Sequence, residues 1–510
     1  MSDIILTTLN AKYIHSSFGL RYLKANLGPL ESRCTLKEYT IQHRPLDIVQ
    51  ELLAANPTII GMGIYIWNAT QSLSVVRLLK KVRPDVAIVL GGPEVSYEHQ
   101  HQVLCELADH VISGEGEVAF RELCTALLSG ESPPKPLIMA SPPDVNALTL
   151  PYHLYSDSDI ANRVIYVEAS RGCPFKCQFC LSALDQKVRT FPMDDFLAAL
   201  RDLLDRGVRQ FKFVDRTFNL APKFTNAILS FFHEAYVPGL FLHFEMIPDR
   251  FPPLLKKWLS KFPVGCIQLE VGIQTFNPEV SARIERRQEV SRISENLSWL
   301  LEHHIHLHTD LIIGLPGESL ESVAAGFDRH IALDVQEIQV GILKRLRGAP
   351  IIRHIKPFEM VFSPEPPYEI LQSKDWTFEA LTRMRRFARY WDMVGNSGRY
   401  GRTLKLLIDG HSAFMAFLDF ADWLHAKTGQ THKISMERML RFLFDYLDAH
   451  SDHSQSEIAA ALAHDYCHST QHRRPPQFLR PWVPEVTLVH NQAHELVPER
   501  QRRHLRGTPS

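Results

Sequence analysis

Glu168–Ala183 reads EASRGCPFKCQFCLSA and places three of the chain's eight cysteines, Cys173, Cys177 and Cys180, within eight residues. Three thiolates in a C-x3-C-x2-C array have two common uses. Structural zinc takes four ligands, usually from two C-x2-C-like pairs, and no second pair exists in the sequence. Three irons of a 4Fe–4S cube can instead each take one thiolate, which leaves the fourth iron open to another ligand. The spacing favours the iron–sulfur reading.

Working outward, the array follows the apolar run VIYVEAS, the first of six such runs. The others are QFKFVD, LFLHFEM, CIQLEVGI, HLHTDLIIG and EIQVGIL, with helix-period segments such as DDFLAALRDLLDRG between them. Six strand–helix units in succession predict an incomplete parallel (β/α)6 barrel over 164–367, with functional residues on the loops after the strands. The cysteines lie on that rim. Upstream, IILTTL, TLKEYTI, TIIGMGIY, AIVLGG and HVISGE alternate with amphipathic stretches, which predicts a doubly wound α/β domain with five parallel strands over 1–145. The aperiodic stretch SGESPPKPLIMASPPDVNALTLPYHL reads as linker, bounded at 146–163. Beyond 367, EALTRMRRFARYWDMV, HSAFMAFLDFADWLHAKT and SMERMLRFLFDYLDAH carry helix-period apolar residues. A mainly helical domain over 368–510 is expected, ending in an extended Pro- and Arg-rich tail with a frayed end.

Composition sets the frame. A chain of 510 residues exceeds one hydrophobic core, and 45% apolar with 22% charged residues is ordinary for a folded protein. The formal net charge of −1 supplies no global field toward nucleic acid or an anionic membrane. No apolar run is long enough to span a bilayer, and MSDIILTTLNAKY lacks the pattern of a secretory leader, so a cytoplasmic protein is expected. Cys34, Cys105, Cys124, Cys266 and Cys467 are scattered singly and read as buried apolar side chains.

The cysteine array after the first strand of a partial barrel resembles the radical S-adenosylmethionine (radical SAM) enzymes. In that family the open iron chelates the amino and carboxylate groups of the methionine moiety, and cluster reduction releases a 5'-deoxyadenosyl radical. The resemblance implies that Phe179 lies against the adenine, where the plain alternative is a packing phenylalanine. FVDRTFN ends the second strand where many members carry a Gly-Gly-Glu motif; that motif is absent, and Asp215 is a substitute for the methionine amino group. LEVGIQT resembles the ribose-binding segment and makes Glu270 and Gln274 candidates for ribose or carboxylate contacts. DLIIGLPGE ends the fifth strand, with Gly314, Leu315 and Pro316 letting backbone approach the adenine. Arg171 either tunes the cluster's charge or faces solvent. KRLRGAP is either an anion-binding loop for substrate or a solvated one. In LEHHIHLHTD, strand alternation sends His306 and His308 to one face, and barrel lining or surface is favoured over a second metal site.

An α/β domain ahead of such a barrel resembles the cobalamin-binding branch of the family. GMGIYIWN, LGGPEVS and SGEGE end the third, fourth and fifth strands. The resemblance makes Tyr65, Ile66 and Trp67 an apolar floor or rim for the corrin, Gly91 and Gly92 a close approach for the nucleotide tail, and Glu115 a contact from the last loop. His15 lacks the Asp-x-His-x-x-Gly context of a cobalt-ligating histidine and is not expected to bind the metal. The chain as a whole resembles cobalamin-binding-type radical SAM proteins that end in a helical domain of unknown function. The implied cofactors are a 4Fe–4S cluster, S-adenosylmethionine and cobalamin. The implied partners are a small-molecule substrate and an electron donor such as flavodoxin or ferredoxin, with neither membrane nor nucleic acid expected. Methyl transfer to an unactivated carbon is the leading activity. Cobalamin-dependent rearrangement or cyclisation, tRNA modification and non-catalytic ligand sensing are the alternatives.

Overall fold

The computed structural model describes residues 3–131, 136–410, 412–488 and 498–506. These form two compact units: Met1–Asp215 with Lys344–Ile352 and Ser363–Glu369, and Arg216–Leu343 with Arg353–Phe362 and Ile370–Ser510.

In the first unit, β1 (Ile4–Asn10), β2 (Cys34–Thr40), β3 (Ile59–Gly63), β4 (Ala87–Gly91), β5 (His110–Ser113) and β6 (Leu137–Met139) form one parallel sheet in the order β2-β1-β3-β4-β5-β6. Every residue of β1 is buried, as a strand covered on both faces requires. Alternate residues feed two cores. Ile5, Leu9, Ile60, Met62, Ile88 and Leu90 pack with the helices Pro45–Leu53 and Ala69–Val82. Ile4, Leu6, Ile59, Val89 and Ile112 pack with the helix Glu117–Leu128. The order reverses at β1, so the crevice for a ligand opens at the carboxyl ends of β1 and β3.

The expected five strands are six. The sixth, β6, comes from PLIMA inside the stretch read as linker, where flanking prolines hide a three-residue edge strand. The remainder of that stretch is packed. Tyr152 and Tyr155 are buried, and their hydroxyls accept the backbone N–H groups of Glu168 and Tyr166 at 3.1 Å each. Ser156 and Asp159 form a capping box that starts a short helix, Asp157–Asn162. The same unit carries β7 (Ile165–Val167), paired in parallel with β10 (Gln210–Phe213), and an antiparallel pair of β8 (Ser170–Arg171) with β9 (Arg189–Thr190).

In the second unit β11 (Phe241–Met246), β12 (Ile267–Gln274), β13 (His306–Ile313) and β14 (Glu337–Ile342) pair in parallel in chain order. The helices Val290–Glu302 and Leu320–Ala332 separate the last three, continuing the strand–helix alternation expected of the partial barrel. The helices Phe378–Val394, Ala413–Thr428, Met436–His450 and Gln455–Thr470 follow. Each starts at a Ser or Thr whose hydroxyl accepts an N–H three residues on: Thr377, Ser412, Ser435 and Ser454. The expectation of an extended tail fails at Glu499–Arg506, which is helical. Its buried Gln501 hydrogen-bonds Gln268, a polar anchor that apolar periodicity does not register. Residues 507–510, at the end read as frayed, lie outside the described ones. No helix of the described residues is long and apolar enough to cross a membrane.

Candidate active site

The cysteine loop leaves β7 through a closed neck, the antiparallel pair of β8 and β9. Gly172 enters it with φ +91°, and a Cβ at that position would collide with the Lys187 carbonyl, so glycine is required there. The Cys173 N–H donates to the Asp185 carbonyl at 2.8 Å, and the Cys180 N–H to that of Cys177 at 3.0 Å. Cys173 and Cys177 are buried and Cys180 is half-buried. Three sulfurs are thus carried on one short loop fixed by its own backbone. The remaining cysteines sit in another environment: burial pushes the thiols of Cys34 and Cys266 up to about 12 and those of Cys105 and Cys467 up to about 11. Such thiols stay protonated, as the packing reading requires. Phe179 is half-buried within the loop.

Asp215, the substitute for the missing Glu, is turned inward. It is 2% exposed and accepts the Ala169 N–H at 3.0 Å and the Ser170 hydroxyl at 2.5 Å. Burial raises its carboxyl to about 6. Its contacts fasten the backbone that leads into the cysteine loop. Arg171 does not face solvent: its guanidinium meets Glu115 and Glu117 at 2.8 Å and Glu168 at 3.0 Å, and lies over the Tyr22 ring. Glu168 stands in the opening stretch yet was not singled out from sequence. It is half-buried, and desolvation lifts its carboxyl to about 7 against the pull of Arg171.

Among the candidates of the second unit, Glu270 projects from the middle of β12 and pairs with His243 on β11 at 3.0 Å. The row is polar: Glu270 stands in register with Glu245 on one side and His308 on the other. Gln274 ends β12 at a register shift, with φ +70° and 9% exposure. Past it, Thr275 donates its hydroxyl to Glu318, the glutamate that closes GLPGE. Glu318 is buried, and desolvation raises its carboxyl to about 7. Gly314 has φ +90°, and a Cβ there would lie 2.7 Å from Ile370. Leu315 is fully buried. The tightness of this segment, expected to serve a cofactor's adenine, is accounted for by packing of the chain against itself.

The loops after β3, β4 and β5 are knit together. Asn68 donates from Nδ2 to Thr8 Oγ1, Leu9 O and Gly63 O at 3.0 to 3.1 Å, fixing the turn after β3. That turn presents Tyr65 and Trp67 as a stacked pair, with ring centroids 4.5 Å apart and Trp67 45% exposed. Ser96 donates to the Gly92 carbonyl at 2.9 Å, and Ser113 donates to the Ser96 carbonyl at 2.8 Å. Gly91 is half-buried, with room for a Cβ, whereas a Cβ on Gly92, at φ +104°, would lie 2.5 Å from the Ile64 carbonyl. The open approach expected at Gly92 is filled by the chain itself. Glu115, expected to meet a cofactor, instead ion-pairs with Arg171 and Arg189. In KRLRGAP the two arginines are engaged within the chain, Arg345 with Glu98 at 2.7 Å and Arg347 with Glu94 at 2.9 Å, while Lys344 is exposed. His15 Nδ1 lies 2.8 Å from the Tyr166 hydroxyl.

Three family models match successive parts of the chain: a B12 binding domain at residues 4–124, the Radical SAM superfamily at 167–328, and a protein of unknown function (DUF4080) at 356–504. An uncharacterized methyltransferase of Pyrococcus horikoshii is 25% identical over 324 residues, covering 58% of this chain and 69% of the relative. A 2-(S-pantetheinyl)-carbapenam-3-carboxylate methyltransferase of Streptantibioticus cattleyicolor is 23% identical over 493 residues, covering 82% and 70%. Among solved structures, the cobalamin-dependent S-adenosylmethionine radical enzyme OxsB, with aqua-cobalamin and S-adenosylmethionine bound, superposes with a TM-score of 0.62 at 14% identity, covering 91% of this chain and 78% of OxsB. At that identity the likeness is one of fold.

Proposed function

Since the chain is a cobalamin-binding-type radical SAM protein with a C-terminal helical domain, we propose that it is an enzyme that transfers a methyl group to an unactivated carbon of a small-molecule substrate. Its cofactors are a 4Fe–4S cluster, S-adenosylmethionine and cobalamin. When bound, these supply one-electron chemistry that opens a substrate C–H bond together with the methyl group that replaces the hydrogen.

The chain's own residues divide the work of holding them. Cys173, Cys177 and Cys180 ligate three irons from the closed loop, and Phe179 lies beside the adenine. Asp215 positions that loop through Ala169 and Ser170. Glu270, steadied by His243, and Gln274 take the ribose or carboxylate of S-adenosylmethionine, with the backbone of Gly314 and Leu315 beside its adenine. Tyr65 and Trp67 offer an apolar face to the corrin at the carboxyl end of β3, Gly91 leaves room beside it, and His15 stays with Tyr166. The functional division we assign is 1–145 for cobalamin, 164–367 for the cluster and S-adenosylmethionine, and 368–510 for the helical domain. An external one-electron donor of the flavodoxin or ferredoxin class is required.

The observation that carries this reading is one chain bearing both the neck-closed cysteine loop and the stacked pair of half-buried Tyr65 and exposed Trp67 at the ligand edge of a doubly wound sheet. The test is anaerobic incubation of the reconstituted enzyme with host extract and methyl-labelled S-adenosylmethionine. Label should enter a small molecule only when cobalamin is supplied, and Glu270→Ala should weaken S-adenosylmethionine binding with iron content unchanged. A cobalamin-dependent product that carries no label would replace methyl transfer with rearrangement or cyclisation.

A further inference from the structure

At the amino-terminal ends of β13 and β14, a buried imidazole, a half-buried one and a buried carboxylate converge. His306 Nε2 lies 3.0 Å from Glu337 Oε1, with side-chain exposures of 5% and 2%. The third member, His504, comes from the terminal helix Glu499–Arg506. Its Nε2 lies 3.8 Å from the same Oε1, and its ring centroid is 5.2 Å from that of His306. Donor atoms of the three side chains all fall within 4.8 Å of one another.

The carboxylate divides its oxygens. Oε1 faces the two imidazoles, and Oε2 takes Arg500 at 2.7 Å, so the guanidinium orients the carboxylate without occupying the side toward the histidines. Backbone atoms complete the surroundings: His504 Nε2 is 3.2 Å from the Asn396 carbonyl, and Asn396 is itself fixed by two hydrogen bonds to the backbone of Ile338, at 2.8 and 2.9 Å. Burying His306 and Glu337, with His504 partly covered beside them, costs free energy unless something recovers it. Two nitrogens and one carboxylate oxygen, with an outer hydrogen bond steadying the carboxylate, form a donor set suited to a divalent first-row ion.

We propose that His306, Glu337 and His504 bind a single divalent transition cation of the Zn2+ class, which clasps the terminal helix to β13 and β14. Each histidine binds as a neutral imidazole whose ligating nitrogen is unprotonated, the ring proton residing on the other nitrogen. The site is separate from the cysteine triad in residues and donor type, and it does not depend on the activity proposed above. Within LEHHIHLHTD, local spacing brings together only that segment's own histidines. The added donors lie about one strand and a whole domain further along the chain, beyond the reach of local spacing.

The experiment uses the anaerobically reconstituted full chain, equilibrated with zinc sulfate and desalted, with zinc and iron counted together by mass spectrometry. Wild type should retain about one zinc per chain beside unchanged iron. His504→Ala, which alters only the terminal helix, should weaken zinc binding at least about 10-fold and leave iron and far-ultraviolet circular dichroism unchanged. His306→Asn should do the same, and His472→Ala, at an exposed histidine, should bind as wild type does. Zinc uptake by His504→Ala equal to that of wild type, or no zinc retained by wild type, overturns the proposal. Zinc gained at the expense of iron assigns it to the cysteines and overturns the proposal equally.

Discussion

Asp215 is a buried carboxylate whose two oxygens are engaged by Ala169 and Ser170. Its folded-state value of about 6 lies above the ordinary 3.8, so the folded chain holds the proton more tightly than the unfolded chain does. The associated stabilisation is complete below the ordinary value and is lost as pH rises through about 6. Asp215→Asn keeps an acceptor for the Ala169 N–H and removes the buried charge. Its unfolding free energy from urea titration should therefore exceed that of wild type at pH 8, by up to about 3 kcal/mol, and match it near pH 4. Asp215→Ala leaves a buried N–H without its acceptor, costs about 1–3 kcal/mol near pH 4, less at pH 8 where wild type carries the buried charge, and lowers iron retention by loosening the loop. An Asn variant with full iron and stability but impaired S-adenosylmethionine binding would instead make Asp215 a cofactor contact. The sequence located Asp215 at a strand end, and spacing could go no further. Which way its side chain turns is decided by Ala169 and Ser170, 45 to 46 residues earlier in the chain.

Elements were legible where apolar periodicity is strong and illegible where polar contacts hold them. All six barrel runs and five of the six strands of the first sheet stand in the sequence as apolar runs. Three-residue β6, framed by prolines, carries too few residues for a period, and the terminal helix is held by Gln501, Arg500 and His504 instead of an apolar stripe. The loops after β3 and β4 separate fold from function in a measurable way. Gly92→Ala adds a Cβ 2.5 Å from the Ile64 carbonyl at a φ of +104°, and should destabilise the first domain by roughly 1–3 kcal/mol whether or not cobalamin is present. Loss of cobalamin binding in any Gly92 variant would thus report on folding. Trp67→Ala is the cleaner probe: the ring is 45% exposed, and the Leu9 carbonyl it contacts keeps its bond from Asn68. Equilibrium dialysis with hydroxocobalamin should give a several-fold weaker affinity for this variant with its melting temperature unchanged. Equal affinity would remove Trp67 from the cobalamin site.

At the scale of the whole molecule, the order of parts was readable because each carries its own period: a doubly wound sheet, strand–helix repeats, then helices opened by Ser and Thr caps. The cysteine loop was readable because its three donors are local in sequence, within eight residues. Ion pairs formed across long sequence separations, such as Arg171 with Glu115 or Arg347 with Glu94, leave no such trace: the resemblance offered Glu115 as a cofactor contact, and for Arg171 and KRLRGAP the sequence left two readings open. The central claim is that Cys173, Cys177 and Cys180 hold a redox-active cluster on which S-adenosylmethionine is cleaved. Its most direct test is the release of 5'-deoxyadenosine from S-adenosylmethionine under anaerobic reduction with dithionite, by reconstituted chain holding about four irons. The account predicts release by wild type and none by Cys173→Ala, Cys177→Ala or Cys180→Ala. Release undiminished in the three variants, or none from wild type with its full complement of iron, would contradict it.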